Sequence, residues 1–299
     1  PYLIGTAFLI PVLVVAFSWR FYILNMQQDS QSWSAAINTN QTEVNSITPS
    51  TSAINIPKKE FITAKSNLPE AYHQECHQNN PSTDLVKCEF GDTQSTKTIL
   101  LVGNSHSTQW LPALDQISKN KNFKLINITK SECPLGLLKD SSDACKVWHK
   151  KLIDFIETSK PYAIITTSTR AGKDHAEYVP QTYIQQWKVV SQFGVKIVAI
   201  RDNPWFNFDP PLCVARNKNE TLKCSKSKDD ALQKNDPSEG YTNNISNLLL
   251  VDMTRFLCNT ELCFAATSDQ LIYRDSHHLS VPYVQSLTNK LSEELDTFL

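Results

Sequence analysis

A short apolar run that ends on a glycine constrains this chain more than any other stretch. Residues 98–111 read TILLVGNSHSTQWL. Ile99, Leu100, Leu101 and Val102 are consecutive and mostly branched, as in a strand buried on both faces of a parallel sheet. Gly103 permits a sharp turn, and Trp110, Leu111 and Leu114 then mark a helix running to about residue 119. Ser105 therefore stands where a strand passes into a helix. That position exposes a side chain at the carboxyl edge of the sheet. It also aims free helix N–H groups at whatever binds there, the arrangement that stabilises an oxyanion.

Serine is a poor nucleophile until a base activates it and a third group orients that base. Residues 273–280 read YRDSHHLS and offer both, with Asp275 and His278 three positions apart. On a turn, that spacing brings the carboxylate to one ring nitrogen while the other faces Ser105. His277 is the competing base and would project elsewhere. His106, next to the serine, is expected to make structural hydrogen bonds. Ser107 stands where a Gly-x-Ser-x-Gly elbow would carry its second glycine, so the motif is not that of the α/β-hydrolases.

Gly103, Asn104, Ser105 and His106 resemble the first block of the SGNH, or GDSL-type, hydrolases, and Asp275, Ser276, His277 and His278 resemble its Asp-x-x-His block. The flanking text is similar to the SGNH domains fused to bacterial membrane acyltransferases that O-acylate surface carbohydrate. An aspartate usually precedes the serine there, where this chain has Asn104. The resemblance implies a Ser105, His278, Asp275 triad and further oxyanion donors after the second and third strands. Residues 131–136, SECPLG, resemble the Ser-x-Cys-Pro segment of the fused domains and make Gly136 a candidate donor. After the third strand Thr167, Ser168, Thr169 and Arg170 stand where the family has an asparagine, and Arg170 is the substitute donor, with a surface or salt-bridged residue as its plainer reading.

Lys plus Arg total 29 against 30 Asp plus Glu, so no basic surplus points to nucleic acid. The cysteines number 8 and fall into local pairs, Cys76 with Cys88, Cys133 with Cys145, Cys213 with Cys224 and Cys258 with Cys263. Among the roughly 105 pairings that eight cysteines allow, this nearest-neighbour set is the expectation. Zinc is the rival, but these spacings match no finger or ribbon. No metal or other cofactor is expected. Disulfides would place the chain in an oxidising compartment.

Residues 1–19 carry no charge and, as a helix, would span roughly 28 Å, close to a bilayer's hydrocarbon thickness of about 30 Å. A membrane helix over 1–24 is expected. A signal peptide is the alternative, but it would need a basic leading region and a small-residue cleavage site. The resemblance implies that a multi-helix acyltransferase domain precedes Pro1. Residues 25–68, rich in Ser, Thr, Asn and Gln, read as a linker. From 69 to 299 strands and helices alternate, with strands at 99–102, 123–129, 162–167, 195–200 and 248–251 and helices at 144–159, 182–193 and near the end. Residues 202–241 form a long irregular segment, read as functional or as an insertion. Its Trp205, Phe206 and Phe208 would either stack on sugar rings or fill the space under the loop.

The expectation is therefore a three-layer α/β/α domain of SGNH, flavodoxin-like type, with a mainly parallel five-stranded sheet, anchored to the bacterial inner membrane and facing the periplasm. Its expected reaction is O-acyl transfer, most simply acetyl, to a surface glycan such as lipopolysaccharide, from a donor relayed by the membrane domain. A carbohydrate O-acetylesterase and a non-catalytic glycan-binding module are the alternatives.

Overall fold

A computed structural model describes residue 20 and residues 54–79, 81–172, 177–245 and 247–299. Its strands are β1 His77–Gln78, β2 Cys88–Gly91, β3 Thr98–Gly103, β4 Lys124–Lys130, β5 Ala163–Thr167, β6 Lys196–Ile200, β7 Lys226–Ser227, β8 Leu248–Val251 and β9 Leu262–Cys263. The main sheet runs β1-β4-β3-β5-β6-β8, and β2 pairs antiparallel with β4 while the other neighbours are parallel. The chain steps from β3 to β4 on one side and then crosses to β5 on the other. The carboxyl end of β3 thus lies at the point where the winding reverses, and such a crevice is the usual ligand site of an open α/β sheet.

Strand periodicity builds both cores. Ile99 and Leu101 of β3 face the helices Leu111–Asn120, Val281–Ser286 and Thr288–Leu295, through Leu114, Ile117, Val284, Leu291 and Leu295. Leu100 and Val102 point the other way, towards the helices Asp143–Ser159 and Gln181–Gln192, through Trp148, Leu152, Ile156, Ile184 and Trp187. That alternation makes β3 apolar throughout and produces the three layers.

Among the described residues the main sheet has seven strands, where five were expected. The five expected ones are β3, β4, β5, β6 and β8. The additions, β1 and β2, share one edge of β4, and β1 is only two residues long, too short to show a period. The helix expected to run unbroken from Ser105 is split into Ser105–Thr108 and Leu111–Asn120. Pro112 explains the break, because it has no N–H for the preceding turn and restricts the residue before it. All four expected disulfides are present, Cys76–Cys88, Cys133–Cys145, Cys213–Cys224 and Cys258–Cys263.

The expected membrane helix over 1–24 lies, apart from Arg20, outside the described residues. Among the described residues no helix is long and apolar enough to cross a membrane. The described part of the expected linker is folded. Residues 58–63 are helical, and Ile56 and Ala64 are buried with Val214, Cys224, Ala265 and Leu271 in a third apolar cluster, beside Phe61. Apolar side chains three to eight positions apart in otherwise polar text escape a search for period. A chain trimmed to 69–299 should therefore be less stable than one beginning at residue 54. Full burial of one Ile is worth about 1.5–3 kcal/mol, so a loss of roughly 2–4 kcal/mol is expected in urea unfolding.

Candidate active site

Gly103 closes β3 with φ +121°, and a Cβ there would stand 2.6 Å from Ser107 Oγ, so the turn requires glycine. Asn104 caps the next turn, its side chain accepting the His106 N–H at 3.0 Å. Ser105 is consequently the first residue of a short helical turn, where backbone N–H groups have no intrahelical partner.

The second segment is a tight turn. Arg274 N–H donates to the His278 carbonyl at 3.0 Å, and Asp275 Oδ1 accepts the N–H groups of His277 and His278 at 3.0 and 2.8 Å. With the carboxylate fixed to its own turn, Asp275 Oδ2 stands 2.8 Å from His278 Nδ1, and His278 Nε2 stands 2.8 Å from Ser105 Oγ. Arg274 Nη1 lies 3.1 Å from the same Oδ2. The structure thus brings together the three residues singled out from sequence.

Two buried amides lock the segments in register. Gln109 Nε2 donates to Asn203 Oδ1 at 2.8 Å, and Gln109 Oε1 accepts the Leu279 N–H at 2.9 Å. Asn203 Nδ2 donates to the carbonyls of His277 and Pro204 at 2.7 and 3.1 Å. The turn after β3, the end of β6 and the turn carrying His278 are therefore one hydrogen-bonded unit.

Burial favours the neutral form of His278 and, with His106 and Arg274 beside it, outweighs Asp275 and pushes the imidazole down to about 3. Burial opposes ionisation of Asp275. The hydrogen bond from His278, the Arg274 guanidinium and the turn N–H groups nevertheless hold its carboxyl well below the usual range. At neutral pH the pair is a carboxylate and a neutral imidazole with its lone pair towards Ser105. That arrangement can accept the proton of an attacking hydroxyl.

Beside it lies an aromatic stack. His106 Nε2 is 3.1 Å from His277 Nδ1, and the His106 ring stacks on Trp205 at 4.9 Å. Asp202 Oδ1 stands 2.8 Å from His106 Nδ1, off the line of a standard hydrogen bond, while its Oδ2 accepts from Trp205 Nε1 and the Ala171 N–H. Arg170 caps the stack, its guanidinium 5.6 Å from the Trp205 ring.

The other candidates divide. Trp205 is half-buried at this rim, but Phe206, paired with it as a glycan contact, is fully buried edge-on to Phe208 and Tyr273 and fills the core under the loop. Gly136 owes its glycine to packing, since a Cβ would meet the Thr182 backbone at 2.7 Å. Among the described hydrogen bonds none joins Gly136 or Arg170 to Ser105. The sequence reading missed Gln109, Asn203 and Asp202. For the last two a signal existed, since they directly follow a buried parallel strand on the serine's edge of the sheet.

The model of the SGNH domain fused to AT3 domains matches residues 75–293. No curated protein sequence matches. Among solved structures, the periplasmic domain of a lipopolysaccharide acetyltransferase from Salmonella ser. Paratyphi A is similar, with TM-score 0.53 and 16% identity over 69% of this chain and 85% of that one. At that identity the likeness speaks for the fold.

The buried histidines carry a stability consequence. His77, hydrogen-bonded through its ring to Thr129, Thr108 and Ser131, is pushed down to about 3 by burial and by the charges of Arg274 and Lys130. Unfolded, His77 and His278 would take up protons near pH ~6.5, so between the two values the unfolded chain binds more protons and stability drops as the pH is lowered. Moving from pH 7 to 5 should cost up to about 2 kcal/mol per histidine in urea unfolding. His77→Gln should flatten that loss; a midpoint independent of pH would contradict the assignment.

Proposed function

The chain belongs to the SGNH domains that are fused to AT3 domains, and from that premise we propose that it is an extracytoplasmic O-acyltransferase. It passes an acyl group, most simply acetyl, to a hydroxyl of a cell-surface glycan such as lipopolysaccharide. The observation that carries this reading is the continuous contact from Ser105 Oγ through His278 to Asp275, at 2.8 Å for each link.

In this reading Ser105 Oγ attacks the donor's acyl carbonyl while His278 Nε2 takes its proton. Asp275 holds the Nδ1–H tautomer and stabilises the imidazolium that forms. The Ser105 N–H faces the developing oxyanion. The leaving group departs with the proton from His278, and the neutral imidazole then accepts the proton of the glycan hydroxyl that attacks acyl-Ser105. The AT3 domain delivers the donor across the membrane. Four disulfides call for an oxidising compartment, which supports a periplasmic position. The half-exposed edge of Trp205 and the Arg170 guanidinium over its ring form the rim offered to a sugar.

Transferase and esterase differ in whether a sugar or water resolves acyl-Ser105. Mass spectrometry of surface polysaccharide from cells carrying wild type, Ser105→Ala or His278→Ala separates them. The transfer reading expects one defined acyl increment to vanish in both variants. A gain of acyl would make the domain an esterase. Unchanged acylation in both would remove the enzymatic reading and leave a binding module.

With purified protein and an activated acyl ester, Asp275→Asn should lower turnover by roughly 10⁴-fold, as expected when the tautomer is no longer held. The acid limb of kcat/KM in the unaltered protein should lie well below pH 6.5, because the base is already neutral there.

A further inference from the structure

Three imidazoles converge where the proposed mechanism uses one. His106, His277 and His278 each offer a nitrogen within 4.8 Å of the others'. His106 Nε2 and His277 Nδ1 are already 3.1 Å apart, and two nitrogens on one tetrahedral zinc ion, at about 2.0–2.1 Å from it, stand roughly 3.3 Å apart. The ligand nitrogens lie no more than 4.8 Å from one another, so bringing in His278 requires its ring to close by roughly 1.5 Å at most, within the reach of torsional adjustment.

The outer partners match the same use. A metal-binding histidine turns its other nitrogen to a carboxylate or carbonyl, which fixes the tautomer and raises basicity. His106 Nδ1 has Asp202 Oδ1 at 2.8 Å, and His278 Nδ1 has Asp275 Oδ2 at 2.8 Å. The hydrogen bond to Asp275 favours a proton on His278 Nδ1 and a lone pair on its Nε2, and at His106 the negative charge of Asp202 beside Nδ1, off the hydrogen-bond line, favours the same tautomer electrostatically. His277 completes the set when its proton moves to Nε2, and no net charge change is needed at the three ligands. Ser105 Oγ, 2.8 Å from His278 Nε2, stands where a water or the hydroxyl itself would fill a fourth position.

We propose that His106, His277 and His278 form a binding site for a divalent transition metal ion, zinc or more tightly copper(II), whose occupancy reversibly switches the site off. The ion takes the lone pair of His278 Nε2, the one that must accept the proton of Ser105. Magnesium and calcium, which prefer oxygen ligands, do not compete. The inhibition rests on the acyl-transfer reading, whereas the metal site rests on the three rings alone.

The test uses the full chain, first freed of metal with chelator, and reads binding separately from catalysis. Calorimetry with Zn2+ should show one ion per chain, and Co2+ should give the visible bands of a four-coordinate site with three imidazole nitrogens and one oxygen. Ser105→Ala should bind zinc yet have no activity. Asp202→Asn should weaken zinc by about 10–100-fold, the usual effect of losing a ligand's carboxylate partner. His277→Gln should abolish the cobalt bands, with near-ultraviolet circular dichroism checking the fold.

Hydrolysis of an activated acyl ester by the unaltered protein should fall with zinc occupancy and recover on adding EDTA. Absence of a one-per-chain binding step, or zinc binding of equal strength in His277→Gln and Asp202→Asn, would overturn the site. Binding at these residues with no loss of ester hydrolysis would keep the site, discard the switch and count against His278 as the base. An unaltered protein inactive even without metal would instead remove the acyl-transfer reading while the calorimetry still decides the site.

Discussion

A carboxylate can steer an imidazole only while it stays charged in surroundings that disfavour charge, and everything proposed for this domain depends on Asp275 doing so. Burial alone would raise the pKa of its carboxyl. Two N–H groups of its own turn, the Arg274 guanidinium and the His278 ring outweigh that pressure. Because two of those partners are backbone groups of residues 277 and 278, the interactions that keep Asp275 ionised also shape the turn that aims His278. Charge and geometry at this point are one interaction, so damage to either removes both.

The contact with Ser105 spans 173 positions along the chain, and a hydrogen bond of net worth about 0.5–1.5 kcal/mol cannot hold so distant a pair together. The sheet does. β3 has an apolar core on each face, so its carboxyl end is fixed from both sides. The Gln109 and Asn203 amides then tie that end to β6 and to the histidine turn. Each amide is buried with its polar atoms paired, and unpairing one would leave groups that cost roughly 1–3 kcal/mol apiece. Specific polar ties of this kind set a register that apolar packing, being non-directional, cannot.

What could be read from sequence follows the same division. The apolar period of β3 to β6 and β8 is a local property, and those strands, their flanking helices and the serine's place at a strand end were legible. So were Asp275 and His278, because their relation is a spacing within one turn. The polar ties were not, since the pairing of Gln109 with Asn203 depends on the sheet order. Phe206 and Trp205 stand side by side in sequence, yet one is core and the other rim, a difference that no local sequence signal carries. Gly136 read as a site residue through its neighbours, while its small size serves the approach of residue 182.

Asn104 illustrates how a departure from a family's pattern is weighed by role. Asparagine and aspartate are near-equal caps, and Asn104 accepts the His106 N–H as an aspartate would, so the turn that presents Ser105 keeps its shape. Only the charge differs. In the proposed mechanism a carboxylate one residue before Ser105 would add a third negative charge to a site already holding Asp202 and Asp275, on the side where the acyl oxygen would gain charge. A neutral cap supplies the same hydrogen bond without that repulsion, and it leaves the two existing carboxylates to act on the Nδ1 atoms of His106 and His278. On the proposed reading the charges that matter are those beside the imidazoles, and the residue before the serine contributes an uncharged side-chain cap that shapes the turn.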